Sequence, residues 1–346
     1  MSATLFTCRH TFEATLCVEL ARLGVTRTEI LLPGLVLAPE SARDLDPVYA
    51  LQVLPAAHLI RGASIREISL AVQEVALPVL QAGEGPWDVH AIVPGMLKGT
   101  PKPPMARRAG LIAEAMLADL RKDQRAVWRR RQEQGSDTCA LVQLLLLDNE
   151  AAWVSAAPVR ALPPLAAWPC RVPAGLAVVA DDDGAPASSY RKLLEAITCM
   201  GMQPLPGQQA VDLGASPGGW THVLRRAGVH VTAVDRAPLA PHLMRDPQVR
   251  FVTGDAFAWR PEAQVDWLVS DIIAFPERVA ELLQAWCGGQ LARHMIVQMK
   301  FRGEPDWLAL QAALDVARTC GYAARAKHFF NDKNEVTLML TMVPHG

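Results

Sequence analysis

From Ala210 onward, short apolar runs alternate with helix-length segments, and this rhythm constrains the fold more than any other feature of the chain. The runs are Ala210-Val-Asp-Leu-Gly214, Val229-His-Val-Thr-Ala-Val-Asp235, Val249-Arg-Phe-Val252, Val265-Asp-Trp-Leu-Val-Ser-Asp271 and Met295-Ile-Val-Gln-Met299, with Val336-Thr-Leu-Met-Leu-Thr-Met-Val343 as the last. Several are almost wholly apolar, as strands are when helices cover both faces of their sheet. The pattern predicts an α/β unit with a doubly wound, mostly parallel sheet.

At 346 residues the chain is long enough for two or three separate cores. Six prolines fall between Pro158 and Pro186, together with Asp181-Asp-Asp-Gly184. Proline removes backbone donors and the acidic triplet repels itself, so a connection between domains is expected there, with a boundary near 185. Before it, residues 1 to about 80 alternate apolar runs with turns, as in a small α+β unit. From Trp87 the expected order is a strand (88–93), a Pro/Gly-rich connection, a helix from Arg107 to Arg131, and a strand pair from Ala140 to Ala157.

Net charge is −1, which alone argues against a nucleic-acid partner, but the distribution is uneven. Between Lys98 and Arg131 ten basic residues stand against three acidic ones. The ten are Lys98, Lys102, Arg107, Arg108, Arg121, Lys122, Arg125, Arg129, Arg130 and Arg131. A local basic surface on a neutral protein can grip phosphates, although a solvated helix face is the plainer alternative. The seven cysteines are scattered with no C-x-x-C pair, so reduced thiols are expected, with neither a disulfide frame nor a metal site. Ala140 to Asp148 is too short for a bilayer, which needs about 20 residues, and the first ten residues lack a secretory pattern. A cytoplasmic location is therefore expected.

The chemistry is concentrated in Asp212-Leu-Gly-Ala-Ser-Pro-Gly-Gly-Trp220, at the junction of a strand with a helix. Gly214 permits a tight turn, Gly218 and Gly219 allow close approach of a ligand to the backbone, and Pro217 suits a first helical position. A dinucleotide-binding loop needs G-x-G-x-x-G. Here Ser216 replaces the second glycine and Pro217 removes an amide, so NAD fits poorly, and no G-K-[ST] follows to make a P-loop. Asp235 lies 23 positions after Asp212, near the spacing at which a carboxylate binds a ribose diol, and Asp255 is placed to bind an adenine amino group. A sugar and a base without a diphosphate point to S-adenosylmethionine. Trp220 is expected to pack beside the loop.

This segment resembles the first motif of ribose 2′-O-methyltransferases of the FtsJ type, and within that type the chain is similar to the family of bacterial ribosomal RNA large subunit methyltransferase M. The resemblance is strong over 186–343 and also rests on Ser189, three residues before Lys192, and on His328-Phe-Phe-Asn-Asp-Lys-Asn-Glu-Val-Thr337. It implies a Rossmann-like S-adenosylmethionine-dependent methyltransferase domain over 188–346. It further implies a ferredoxin-like α+β domain over 1–80, a THUMP-like RNA-binding domain over 81–165 and a linker over 166–187. The implied catalytic tetrad is Lys192, Asp271, Lys300 and Glu335. The implied cofactor residues are Ser189, Asp212, Gly214, Ser216, Pro217, Gly218, Gly219, Trp220, Asp235, Asp255 and Asp271. The implied partner is 23S ribosomal RNA, gripped through a basic region including Arg107, Arg108, Arg125, Arg129, Arg130 and Arg131, and the implied product is a cytidine 2′-O-methyl ether.

In that reading Lys300 either accepts the hydroxyl proton or only stabilises the forming alkoxide, Asp271 orients it, and Lys192 and Glu335 complete the network. Asp271-Ile-Ile-Ala274 stands where methylation of base amino groups presents [DN]-P-P-[YF], and no cysteine is placed as a nucleophile for cytosine C5 methylation. A small-molecule methyltransferase and a non-catalytic RNA-binding assembly factor stay as alternatives.

Overall fold

The structure, a computed structural model, describes residues 3–100, 103–118, 124–132, 138–161, 172–177 and 179–343. The chain divides into two compact units, Met1–Leu176 and Ala177–Gly346.

The first unit is built on a seven-stranded sheet in the order β2-β3-β1-β4-β7-β6-β5. Its strands are β1 (Ala3–Thr7), β2 (Glu29–Leu32), β3 (Leu35–Ala38), β4 (Gln52–Arg61), β5 (Trp87–Ile92), β6 (Ala140–Leu146) and β7 (Ala151–Pro158). β4 serves both halves: its first part pairs with β1 and its second part with β7. The handover falls at Pro55, which has no N–H to give, and Ala56, which takes a positive φ of 46°. The helices are α1 (Glu13–Arg22), α2 (Ile65–Ala82), α3 (Pro94–Leu97), α4 (Ala106–Ala118) and α5 (Arg125–Trp128). Val142, Leu144 and Leu146 of β6 pack into a core with Ile68 and Val72 of α2 and Ile112 of α4, while Leu145 enters a second core with Leu5 and Leu54. Burial on both faces is why β6 reads as an apolar run interrupted by Gln143 alone.

One continuous helix from Arg107 to Arg131 does not form. α4 ends at Ala118, α5 is a separate turn, and Asp119 to Asp123, with Arg121 and Lys122, lie outside the described residues, as does Lys102. The physical reason for the separate turn is Trp128, which meets Trp87 edge-on at 4.9 Å. The Trp87 indole N–H donates to the Val127 carbonyl at 2.9 Å. The chain then runs beside β5, with the Gln132 amide donating to the Trp87 carbonyl at 2.8 Å. Arg130 therefore stands in the turn that closes α5, its amide donating to the Val127 carbonyl at 3.2 Å, and Arg131 forms a bridge to Trp87 beyond it.

The second unit carries β8 (Gln209–Leu213), β9 (His230–Asp235), β10 (Val249–Thr253), β11 (Val265–Ser270), β12 (Ala292–Lys300), β13 (Tyr322–Lys327) and β14 (Glu335–Met342). They lie in the order β10-β9-β8-β11-β12-β14-β13. The first five are parallel, and β14 is antiparallel to both β12 and β13. Helices α6 (Tyr190–Met200), α7 (Gly219–Arg226), α8 (Pro241–Met244), α9 (Pro276–Gly288) and α10 (Trp307–Thr319) accompany the sheet. The expected Rossmann-like, mostly parallel sheet is thus present, with β13 as a strand that the apolar runs did not announce. Strand order reverses between β8 and β11, and in such sheets ligands bind outside the carboxyl ends of the strands at that point. Residues 180–184 are fastened to this unit: Asp182 accepts from His222 at 3.0 Å and pairs with Arg226, and the Tyr190 hydroxyl donates to the Ala180 carbonyl at 3.0 Å. Among the described residues no helix is long and apolar enough to cross a membrane.

Candidate active site

The loop after β8 begins at Gly214, whose φ of +74° makes the turn, and a Cβ there would lie 3.1 Å from the Ile272 side chain. Gly218, at φ +111°, is the N-cap of α7, so Pro217 stands before the helix and not at its first position. The left-handed residue between them is what redirects the chain. Protein packing also explains two glycines that the sequence assigned to ligand approach. A Cβ on Gly218 would meet Leu243 Cδ1 of α8 at 2.3 Å, and one on Gly219 would meet Ser189 Oγ at 2.6 Å. Both glycines let neighbouring elements press onto the loop.

The carboxylates around this loop differ in environment. Asp212 is buried beneath it and accepts from Thr221 Oγ1 at 2.7 Å. Burial pushes its carboxyl up to about 7, against the hydrogen bonds from Thr221. Asp235, ending β9, accepts from the Ser216 amide and the Ala237 amide, each at 2.9 Å. A carboxylate offers about four lone-pair sites, so two remain for hydroxyl donors. Asp255 accepts from the Phe257 amide at 2.9 Å and is half exposed. The Ser216 hydroxyl donates to the Pro238 carbonyl at 2.9 Å, and buried Trp220 donates its indole N–H to the Ser189 carbonyl at 2.9 Å.

Lys192, Asp271, Lys300 and Glu335 arrive from α6, the end of β11, the end of β12 and the start of β14, and they meet. Lys192 Nζ lies 2.5 Å from Glu335 Oε1 and 3.5 Å from Asp271 Oδ1. Lys300 Nζ lies 2.8 Å from the same Asp271 Oδ1 and donates to the Asp271 carbonyl at 2.7 Å. Asp271 Oδ1 is buried and takes no aligned hydrogen bond, so it holds both lysines as a charge. The pairing of β12 with β14 fixes Lys300 directly opposite Glu335. Burial works against the charge on Lys192, but the Asp271 and Glu335 carboxylates outweigh it and hold its ammonium above the ordinary lysine range. Burial likewise opposes ionisation of Glu335, and the Lys192 hydrogen bond reverses this and holds it below the ordinary range.

Beneath the four lies a buried network that the sequence reading did not assign. Glu195 of α6 accepts from the Phe330 amide at 3.0 Å, the Asn331 amide at 3.0 Å and Asn331 Nδ2 at 2.8 Å. It stands three residues after Lys192, on the same helix face, which is the signal that points to it. Asp332 is fully buried, accepts from the Phe329 amide at 2.9 Å and faces Thr337 and Gln298. Burial pushes its carboxyl well above the ordinary range. Together these residues fasten the segment before β14 to the helix that carries Lys192.

Lys192, Lys300 and Glu335 open onto a cleft of ≈ 880 Å³ that Ser189, Phe275 and Arg302 also line.

A family model described as FtsJ-like methyltransferase matches residues 187–297. Ribosomal RNA large subunit methyltransferase M of Halorhodospira halophila is 40% identical over 169 residues, which cover 48% of this chain and 50% of that protein. The protein of the same name from Marinobacter nauticus is 34% identical over 254 residues, covering 68% of this chain and 67% of that protein. The chain belongs to this family. It spans about half the length of several curated relatives that it matches, that of Alkalilimnicola ehrlichii being 39% identical over 45% of its length.

S-adenosylmethionine is the cofactor of an FtsJ-like methyltransferase domain, and the residues present fit it. The spare acceptor sites of Asp235 suit a ribose diol, and half-exposed Asp255 suits an amino donor. Asp212 differs, since its carboxyl faces Thr221 inside the fold and braces the loop from below.

Proposed function

We propose that this chain transfers the methyl group of S-adenosylmethionine to a ribose 2′-hydroxyl of ribosomal RNA, namely a cytidine of 23S rRNA, in the cytoplasm. The observation that carries the reading is the meeting of Lys192, Asp271, Lys300 and Glu335 beside the glycine loop. The names of the relatives support the ribosomal RNA substrate.

S-adenosylmethionine supplies an electrophilic methyl on a sulfonium, and the protein's task is to orient the hydroxyl and take its proton. Lys192 is poorly suited to take a proton, because two carboxylates hold its ammonium charged. Lys300 is the better acceptor. As a neutral amine it has two N–H groups and one lone pair; one N–H donates to the Asp271 carbonyl at 2.7 Å and Asp271 Oδ1 lies 2.8 Å away on the same side, leaving the lone pair for the hydroxyl proton. With the cofactor held at the glycine loop, its methyl would pass to the hydroxyl oxygen with the bonding pair left on sulfur, and the chain's own part is to hold the released proton on Lys300 Nζ.

RNA affinity is assigned to the first unit, and there the six arginines part company. Arg107, Arg125 and Arg129 are exposed, as is Lys98. Arg108 donates to the Asn149 carbonyl at 2.7 Å, Arg130 donates to the Leu80 and Gly83 carbonyls at 2.6 Å, and Arg131 stands 4.0 Å from Asp88. Phosphate contact falls to the exposed set, and the ferredoxin-like and THUMP-like subdomains, about 1–80 and 81–165, are proposed as its frame.

The test is transfer of labelled methyl from S-adenosylmethionine to unmodified 23S rRNA, with the product mapped by resistance of the adjacent phosphodiester to alkali. One resistant linkage at a cytidine is expected. Cofactor binding without labelled RNA would move the reading to a small-molecule acceptor or a non-catalytic role.

A further inference from the structure

Phe275 and Arg302 follow two tetrad residues closely: Phe275 is the fourth residue after Asp271, and Arg302 the second after Lys300. Both line the cleft that holds Lys192, Lys300 and Glu335. The Arg302 guanidinium centre sits 4.5 Å from the Phe275 ring centroid. Phe275 is nevertheless 54% exposed, Ile273 beside it is 84% exposed, and Arg302 is exposed. Cation–aromatic pairs are common, roughly one per 70–80 residues, so the pairing alone means little. Another such pair in the second unit, Arg278 with Phe257, shows the ordinary structural kind: Phe257 is half-buried and Arg278 also holds Glu281. The Phe275–Arg302 pair instead stands open to water at the mouth of the reaction centre.

Resting on the reading above, we propose that Phe275 and Arg302 form a stacking platform for the base of an unpaired nucleotide whose ribose is the methyl acceptor. A 2′-hydroxyl brought to Lys300 carries its base with it. Aromatic rings and guanidinium planes are the surfaces on which unstacked RNA bases rest. Stacking tolerates every base, so the platform supplies affinity and orientation, while sequence is read elsewhere. A paired base, already stacked in its helix, would not use it.

The test is steady-state transfer to unmodified 23S rRNA by the full chain and by Phe275→Ala, Arg302→Ala and Phe275→Trp, with S-adenosylmethionine affinity measured by calorimetry as the control for folding. Each alanine variant is expected to raise KM for RNA by about 10- to 100-fold with cofactor affinity unchanged. Phe275→Trp, which keeps an aromatic face, is expected to hold KM within about two-fold. KM unchanged in both alanine variants overturns the platform and leaves methyl transfer standing. An equal rise in Phe275→Trp and Phe275→Ala also overturns it, by showing that only local packing was disturbed. Absence of transfer by the wild-type chain, with cofactor bound, overturns the underlying reading and the platform with it.

Discussion

At the residue scale, a charged side chain near a presumed nucleic-acid surface can be spent inside the protein. Arg130 donates to the Leu80, Gly83 and Gly85 carbonyls around the C-terminus of α2, where unpaired carbonyls favour a cation. Arg130→Ala is expected to cost about 1–3 kcal/mol in denaturant unfolding. Arg129→Ala is expected to leave stability within about 0.5 kcal/mol while weakening RNA binding and lowering its salt dependence. Composition revealed that the stretch was basic; which arginines point outward depends on the Trp87–Trp128 contact, a pairing of residues distant in sequence. Asp212 carries a pH signature. Its folded-state carboxyl is raised to about 7, so between about pH 4 and 7 the folded state binds more protons than the unfolded one. Stability should therefore fall as pH rises through that window, and Asp212→Asn should flatten the fall; urea midpoints across the window measure it.

At the element scale, what matters is how α6 and the segment before β14 are locked together. Three donors converge on buried Glu195, so Glu195→Ala strands them and frees the segment from the helix bearing Lys192. The expected result is a loss of about 2–4 kcal/mol in unfolding free energy and a lower single-turnover rate, with Glu195→Gln intermediate in both. Gly218→Ala should be comparably harmful, since it combines a positive φ with a methyl 2.3 Å from Leu243. The parallel strands were legible because both faces are covered and their runs are apolar. β13 was not: Tyr322-Ala-Ala-Arg-Ala-Lys327 is rich in alanine and buries Arg325 and Lys327. Tertiary pairing with β14 makes it a strand against its local composition. The tetrad was placed by the family's motif order. The bracing roles of Glu195 and Asp332, which no tetrad position announces, emerged from the hydrogen bonds that form when the chain closes.

At the scale of the whole molecule, the glycine loop, the tetrad and the cleft all lie within Ala177–Gly346, and the exposed basic residues Lys98, Arg107, Arg125 and Arg129 within Met1–Leu176. Substitutions in the two units should accordingly separate. Charge reversal at Arg107 and Arg129 together is expected to raise KM for RNA at least ten-fold, with S-adenosylmethionine affinity unchanged by calorimetry. In the proposed reaction four side chains from four elements act on one hydroxyl, with Lys300 nearest the proton. The most direct measurement is the single-turnover rate of methyl transfer to 23S rRNA by Lys300→Ala, with cofactor and RNA both saturating. A fall of about 100-fold or more with both affinities retained is the predicted result. A rate within a few-fold of wild type would rule out Lys300 as the group that takes the proton.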